Sequence, residues 1–435
     1  MGNSSFLEKQ FKLSQNKTTV KTEVLAGITT FMTMAYILSV NPITLEAAGM
    51  EFGAVFTATA ISSIVGILVM AFAANLPFAL APGMGLNAFF AYYVVQTLGY
   101  PWQMALTAVL IEGIIFIILT FLNVREAIIN SIPSTLKKAV SVGIGLFIAL
   151  IGLANAKVIV PGSGVLVELG DIKAGDPLLA LVGLAITGAL LAKKVKGALF
   201  IGILLTTIVG FPMGITKIPD AIVSMPPSLR PTFAQFDFSS LFTLDMLVIV
   251  FTFLFVDLFD TVGTLVGVAT KANMLEKDGK VPKAKQALLA DAIATTVGAT
   301  LGTSTVTTYV ESAAGVAEGG RTGLTSLTTG LLFLVALLFS PLFIMIPLSA
   351  TAPVLVLVGL FMLSPIKDIP FEDYTESIPA FLAIIMMPLT YSISEGIVFG
   401  ILGYVVIKIL TGRTKDISLL MYVVAVLFLF KIYIG

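Results

Sequence analysis

The chain has 435 residues, 57% hydrophobic and 11% charged, whereas a soluble domain normally carries about 25% charged residues. Its 25 basic and 25 acidic side chains give a net charge of zero, which leaves no electrostatic case for binding nucleic acid. His and Cys are absent, so disulfides and thiol chemistry are excluded, and any proton the protein moves must be carried by carboxylates.

Residues 1–22 are polar, carry Lys9, Lys12, Lys17 and Lys21, and lead into no short apolar segment with a cleavage site, which predicts a cytoplasmic tail. Apolar blocks of the length needed to cross a bilayer then recur at 24–43, 53–74, 77–98, 102–123, 139–155, 176–193 and 197–215. A second set follows at 245–270, 285–301, 303–316, 323–347, 352–365, 377–391 and 393–411. The blocks are apolar all round and rich in Gly and Ala, which fits helices and not the alternation of barrel strands. An all-α polytopic membrane protein of about 14 spans is therefore expected. The last apolar block, 417–434, is left open as an interfacial helix or a further crossing.

With the N-terminus inside, Lys137, Lys138, Lys193, Lys194, Lys196, the 271–285 loop, Arg321, Lys367, Arg413 and Lys415 fall at alternate ends of the spans. Seven spans cross an odd number of times, so the second seven start on the other side: an inverted repeat. The halves meet in a polar connection rich in Pro219, Pro226, Pro227 and Pro231.

Spans 3 and 10 each break the helical pattern. Pro77, Pro82, Gly83 and Gly85 interrupt the first, and the run from Thr303 to Thr308 makes the second locally extended. Non-helical backbone at membrane depth survives only where protein buries it or water reaches it. Paired interruptions in two halves therefore point to a transporter's substrate site.

Asp257 and Asp260 lie three residues apart on one face of span 8, with Thr261 and Thr264 nearby. An acid at the bilayer centre costs roughly 2.5 to 3.5 kcal/mol on insertion scales, so such residues usually face the interior and serve function. Glu311 and Asp260 are read as direct substrate or proton groups, Thr264 as a substrate contact, and Asp257 as a proton-coupling group. Asn87 suits either a substrate amide contact or a backbone cap. Asp291 and Thr308 are read as polar support, with Asp291 tying its helix to neighbouring backbone. Tyr36, Phe89 and Tyr309 suit either stacking on a planar ligand or packing. Glu46, Glu51, Asp245, Asp278, Glu372, Asp373 and Glu376 read as solvated charges near span ends, and Glu395 as the cap of the last assigned span.

Four motifs in order, 29–42 (TTFMTMAYILSVNP), 81–90 (APGMGLNAFF), 259–264 (FDTVGT) and 307–315 (TTYVESAAG), resemble the nucleobase:cation symporter-2 superfamily. Within it they look like the AzgA-type adenine/guanine/hypoxanthine permeases. The resemblance covers nearly the whole chain and implies a uracil-permease-like fold of 14 spans in two 7+7 inverted repeats, with short strands and half-helices in spans 3 and 10. It implies a core domain from 23–123 and 243–347, a gate domain from 139–215 and 350–435, and a connecting loop at 216–242. By the same resemblance the family's acids fall on Asp260 and Glu311, and its third-span polar position on Asn87. Related uracil carriers have Glu followed four residues later by His, where this chain has Asp260 and Thr264.

The resulting expectation is a multi-pass importer of the cell membrane, taking up hypoxanthine, guanine or adenine with protons by alternating access. Na⁺ stays open as the coupling ion. No cofactor, metal or nucleic-acid partner is expected, and the resemblance allows a homodimer through the gate. The rivals are a uracil- or xanthine-type carrier, a sulfate-type anion transporter of the same fold, and an intramembrane aspartyl protease. Fixed acids at the site disfavour the anion carrier. Two Asp on one helix, without a Gly-any-Gly-Asp pattern, disfavour the protease.

Overall fold

A computed structural model describes residues 6–122, 132–162, 164–219, 221–271, 274–275 and 281–434. Among these, nine helical runs are long and apolar enough to cross a membrane: Val20–Glu46, Phe52–Ala74, Trp102–Phe121, Ser134–Asn155, Gly175–Ala192, Leu244–Ala269, Gly323–Ile344, Leu348–Asp368 and Ile393–Leu410. They are spans 1, 2, 4, 5, 6, 8, 11, 12 and 14. Spans 7, 9 and 13 are the shorter or more polar helices Ala198–Gly210, Ala284–Leu301 and Tyr374–Leu389.

Several boundaries follow from caps. Thr19 accepts from the Thr22 N–H at 3.2 Å to start span 1, and Glu51 accepts from the Gly53 and Ala54 N–H groups at 3.0 and 2.5 Å to start span 2. Ser392 accepts from the Glu395 N–H at 3.1 Å and so caps the start of span 14, with Glu395 three residues on. Span 5 begins at Ser134, earlier than the sequence pattern placed it, which puts Lys137 and Lys138 inside the helix. Span 1 is interrupted at Ala35–Tyr36, and a short hairpin of β2 (Ile159–Pro161) and β3 (Val167–Leu169) follows span 5; neither was foreseen.

The helices pack in two groups. Span 9 lies against spans 2 and 4, and span 11 against spans 1 and 2; span 12 lies against spans 5 and 6, and span 13 against spans 5 and 14. Small residues let these backbones close up. A Cβ added at Gly145 of span 5 would meet the Gly359 carbonyl oxygen of span 12 at 2.7 Å, and one at Gly359 would run into the Gly145 carbonyl. Buried hydroxyls inside helices are satisfied locally, as where Thr59 donates to the Val55 carbonyl at 2.7 Å and Thr187 to Gly183 at 2.8 Å.

Spans 3 and 10 cross as short strands. β1 (Leu80–Pro82) pairs antiparallel with β4 (Val306–Thr308), matching Leu80 with Thr308, Ala81 with Thr307 and Pro82 with Val306. The Gly83 N–H donates to the Thr305 carbonyl at 3.0 Å and the Tyr309 N–H to the Ala79 carbonyl at 2.9 Å, closing both ends. This shared ladder satisfies backbone groups that no helix serves, which is what non-helical backbone in a bilayer requires. Helical segments leave the crossing in both halves, at Met84–Ala88 and Ser312–Ala317.

The terminal apolar block is a helix, Leu419–Ile434, packed on span 14. Met421, Val424, Ala425 and Phe428 are buried, and Phe428 meets Phe251 of span 8 edge-on at 5.6 Å.

Candidate functional site

Glu311 closes β4's exit and is half-buried. The Tyr36 hydroxyl, placed by the interruption in span 1, donates to Glu311 Oε1 at 2.6 Å, and Thr33 reaches the Glu311 carbonyl at 3.4 Å. Across the same strand, Thr307 donates to Asp260 Oδ2 at 3.5 Å, so the half-buried Asp260 of span 8 faces β4. The Tyr309 hydroxyl donates to the Pro82 carbonyl at 2.5 Å and ties the two strands.

Asp257 and Asp291 are fully buried and meet at one hydroxyl. Thr261 lies 3.0 Å from Asp257 Oδ1 and 2.9 Å from Asp291 Oδ1. Asp291 therefore contacts a side chain of span 8. Thr264, one turn beyond Asp260, is half-buried and makes none of these bonds.

Asn87 is fully enclosed and accepts from the Ser304 hydroxyl, while its Nδ2 has no hydrogen-bond partner among the described residues. Thr308 Oγ1 is likewise buried without a partner among them. Buried polar atoms left unbonded are uncommon, and beside a break in two spans they are places where a ligand's polar groups can bond. Phe89 packs edge-on to Phe253 at 4.9 Å and stacks with Tyr93 at 5.4 Å, so the protein's own rings occupy its neighbourhood. Among the described residues no cluster of His, Cys, Asp and Glu could hold a metal ion.

A family model described as the permease family matches residues 21–399. The chain belongs to this permease family, the nucleobase:cation symporter-2 group that its motifs resemble. The permease is 51% identical to a relative from Methanocaldococcus jannaschii over 97% of each chain. It is 44% identical to the adenine permease AdeP of Escherichia coli K12, over 98% of this chain and 96% of that one. It is 45% identical to the guanine/hypoxanthine permease PbuG of Bacillus subtilis 168, over 96% of this chain and 98% of that one. Among solved structures, the transmembrane domain of the cyanobacterial bicarbonate transporter BicA matches with a TM-score of 0.64 at 18% identity, covering 88% of the permease and 97% of that domain. That likeness is one of fold: two inverted repeats of seven spans.

The permease holds polar residues that the sequence reading passed over. Glu112, midway along span 4 and fully buried, accepts from Thr305 at 2.6 Å. Asn41 of span 1 donates to Thr303 at 2.8 Å and to Thr59 at 2.7 Å. With Ser304 bonded to Asn87, three consecutive residues before β4 are pinned by side chains from three different spans. A carboxylate in the middle of an apolar run was the signal for Glu112, the same signal that exposed Asp257. Glu23 of span 1 accepts from the Arg321, Thr322 and Thr325 N–H groups at 2.9, 3.2 and 3.2 Å, fastening the start of span 11.

Several charges read as solvated are partnered. Glu376 sits 2.7 Å from Lys408, which is 2% exposed and also meets Asp416 at 3.2 Å. Asp373 caps span 13 through the Thr375 N–H at 3.0 Å and pairs with Arg413 at 2.7 Å; the bonds from Thr375 and Arg413 hold its carboxyl down at about 2. Asp245 accepts from the Tyr100 hydroxyl at 2.5 Å, and that bond pushes the phenol up to about 12. Asp278 lies outside the described residues.

Proposed function

We propose that this permease imports purine bases, with hypoxanthine, guanine and adenine as its substrate class, and that it couples uptake to protons. The observation that carries the reading is the crossing itself, where two half-buried carboxylates, Asp260 and Glu311, flank one strand at the break of two spans. A purine is flat and offers ring N–H donors beside N and O acceptors. The carboxylates take the donors, while Asn87 Nδ2 and the Thr308 hydroxyl lack partners among the described residues and can serve acceptors. Tyr36 occupies one lone pair of Glu311, and the carboxylate's two oxygens keep acceptor capacity for substrate. The names of AdeP and PbuG support the same class, and the fixed acids argue against the anionic substrate of BicA.

Coupling follows from charge. A buried carboxylate without a partner is costly, so a carboxylate bonded to substrate and an empty one differ in proton affinity. Thr261 has a single hydrogen to offer two carboxylates, so both its contacts are hydrogen bonds only when Asp257 or Asp291 carries a proton. In this reading Asp257 holds the proton that travels with substrate. Spans 1–4 and 8–11 form a core that rocks against a gate of spans 5–7 and 12–14, in the cell membrane with the N-terminus in the cytoplasm. The gate is also the surface through which a homodimer forms.

The test is uptake of labelled hypoxanthine, guanine, adenine, uracil and sulfate into proteoliposomes, with and without an inward proton gradient. Purine uptake driven by the gradient supports the reading. Purine uptake indifferent to the gradient removes the proton step, and uptake of uracil or sulfate alone overturns the substrate class.

A further inference from the structure

Away from the crossing, a cavity of 350 Å³ opens between the two packed groups of spans. It lies at the end of the bundle where span 1 finishes, span 2 begins, span 5 finishes and span 12 begins. Its walls include Ile43, Glu46, Phe52, Tyr92, Asn155 and Ile346. That volume falls within the roughly 300 to 1,000 Å³ usual for small-molecule sites.

The lining has a definite chemistry. Phe52 and Tyr92 supply aromatic surface, and Ile43 and Ile346 supply apolar wall. Glu46, on an exposed helix end, supplies a carboxylate that accepts from N–H donors. Asn155 donates to the Tyr92 hydroxyl at 2.7 Å, which leaves the asparagine carbonyl as an acceptor and the tyrosine hydrogen as a donor. Tyr391 packs edge-on to Tyr92 at 6.2 Å and in turn meets Phe147 at 5.4 Å, so aromatic side chains from both groups of spans hold this wall residue. Aromatic walls, one acid and a donor–acceptor pair match a flat, neutral heteroaromatic base. A sulfate or bicarbonate ion would meet the Glu46 charge and apolar walls.

We propose that this cavity is a second purine-binding station, which a base occupies on its way between that end of the bundle and the central crossing. The proposal rests on the purine reading above. It gives a role to Glu46, which the sequence pattern alone leaves as a solvated charge.

The chain contains no Cys, so a single introduced thiol reports without background. Ile43→Cys places it in the cavity wall, and the rate of maleimide labelling is followed in purified protein with and without hypoxanthine. A melting temperature equal to that of the parent protein establishes that the variant is folded. The same measurement is made after adding Glu311→Gln, which disables the central site. Hypoxanthine is expected to slow labelling several-fold in both backgrounds, and Glu46→Gln to abolish that protection in the Glu311→Gln background. Protection that vanishes with Glu311→Gln alone, or that is absent in both backgrounds, overturns the second station. No hypoxanthine uptake by the parent protein overturns the purine reading itself.

Discussion

In the first half of the permease the broken span brings Pro82 and tightly enclosed apolar residues to the crossing, and Asn87 is sealed in beside Ser304. In the second half the corresponding span brings Tyr309, Thr307 and Glu311, and the acid stays half-buried within reach of Tyr36. The backbones do the same work, pairing strands so that each span's break satisfies the other's. The side chains do not. A two-fold repeat solves the problem of irregular backbone in a membrane, and of the two broken spans the second alone carries an acid. The acids divide in a similar way: Asp260 and Glu311 lie half-buried at the strand, whereas Asp257 and Asp291 are fully enclosed around Thr261.

Substitutions can break this contrast at graded strength. The largest effect is expected from Asp260→Asn, which should lower hypoxanthine uptake by about 10- to 150-fold, the value of a hydrogen bond to a charged group at roughly 1.5 to 3 kcal/mol. Initial rates in proteoliposomes check this. Glu112→Ala, which frees Thr305, should lower stability by about 1 to 3 kcal/mol, seen as a lower melting temperature with a smaller change in substrate affinity. An affinity loss as deep as that of Asp260→Asn would place Glu112 in the site and dissolve the distinction between frame and chemistry.

Tyr36→Phe and Tyr309→Phe sharpen the comparison from either side. Loss of the Tyr36 bond to Glu311 should raise KM about tenfold or less, and loss of the Tyr309 bond to Pro82 should cost about 0.5 to 1.5 kcal/mol of stability while sparing KM. Equal KM effects would make Tyr309 a substrate ligand.

The smallest effect lies outside the membrane, at Asp373. Its folded carboxyl is held at about 2 by Thr375 and Arg413, below the roughly 3.9 of a free aspartate. Its stabilising contribution is therefore present above about pH 4 and lost as pH falls towards 2. Asp373→Asn should flatten that part of the melting-temperature profile; an unchanged slope would remove Asp373 as its source.

Much of this was legible in the sequence because the signals are local. Proline and glycine inside an apolar run announce the break in span 3, the β-branched run Thr303–Thr308 announces that in span 10, and a carboxylate inside an apolar run announces an acid facing the interior, which is how Asp257, Asp260 and Glu311 stood out. Which side chain meets which acid was not legible. Tyr36 and Glu311 are 275 residues apart, and Glu112 and Thr305 are 193 apart, so only the packed bundle shows the pairs. Glu376 looked solvated because its partner Lys408 comes one span later, on a helix whose facing side the apolar pattern does not reveal.

The most direct test of the crossing as the purine site is equilibrium binding of hypoxanthine to the purified permease and to its Glu311→Gln variant, at matched melting temperatures. The account requires saturable binding at two sites by the parent protein and the weakening of one of them, by about 100-fold, in the variant. Unchanged stoichiometry and affinity in Glu311→Gln would contradict it.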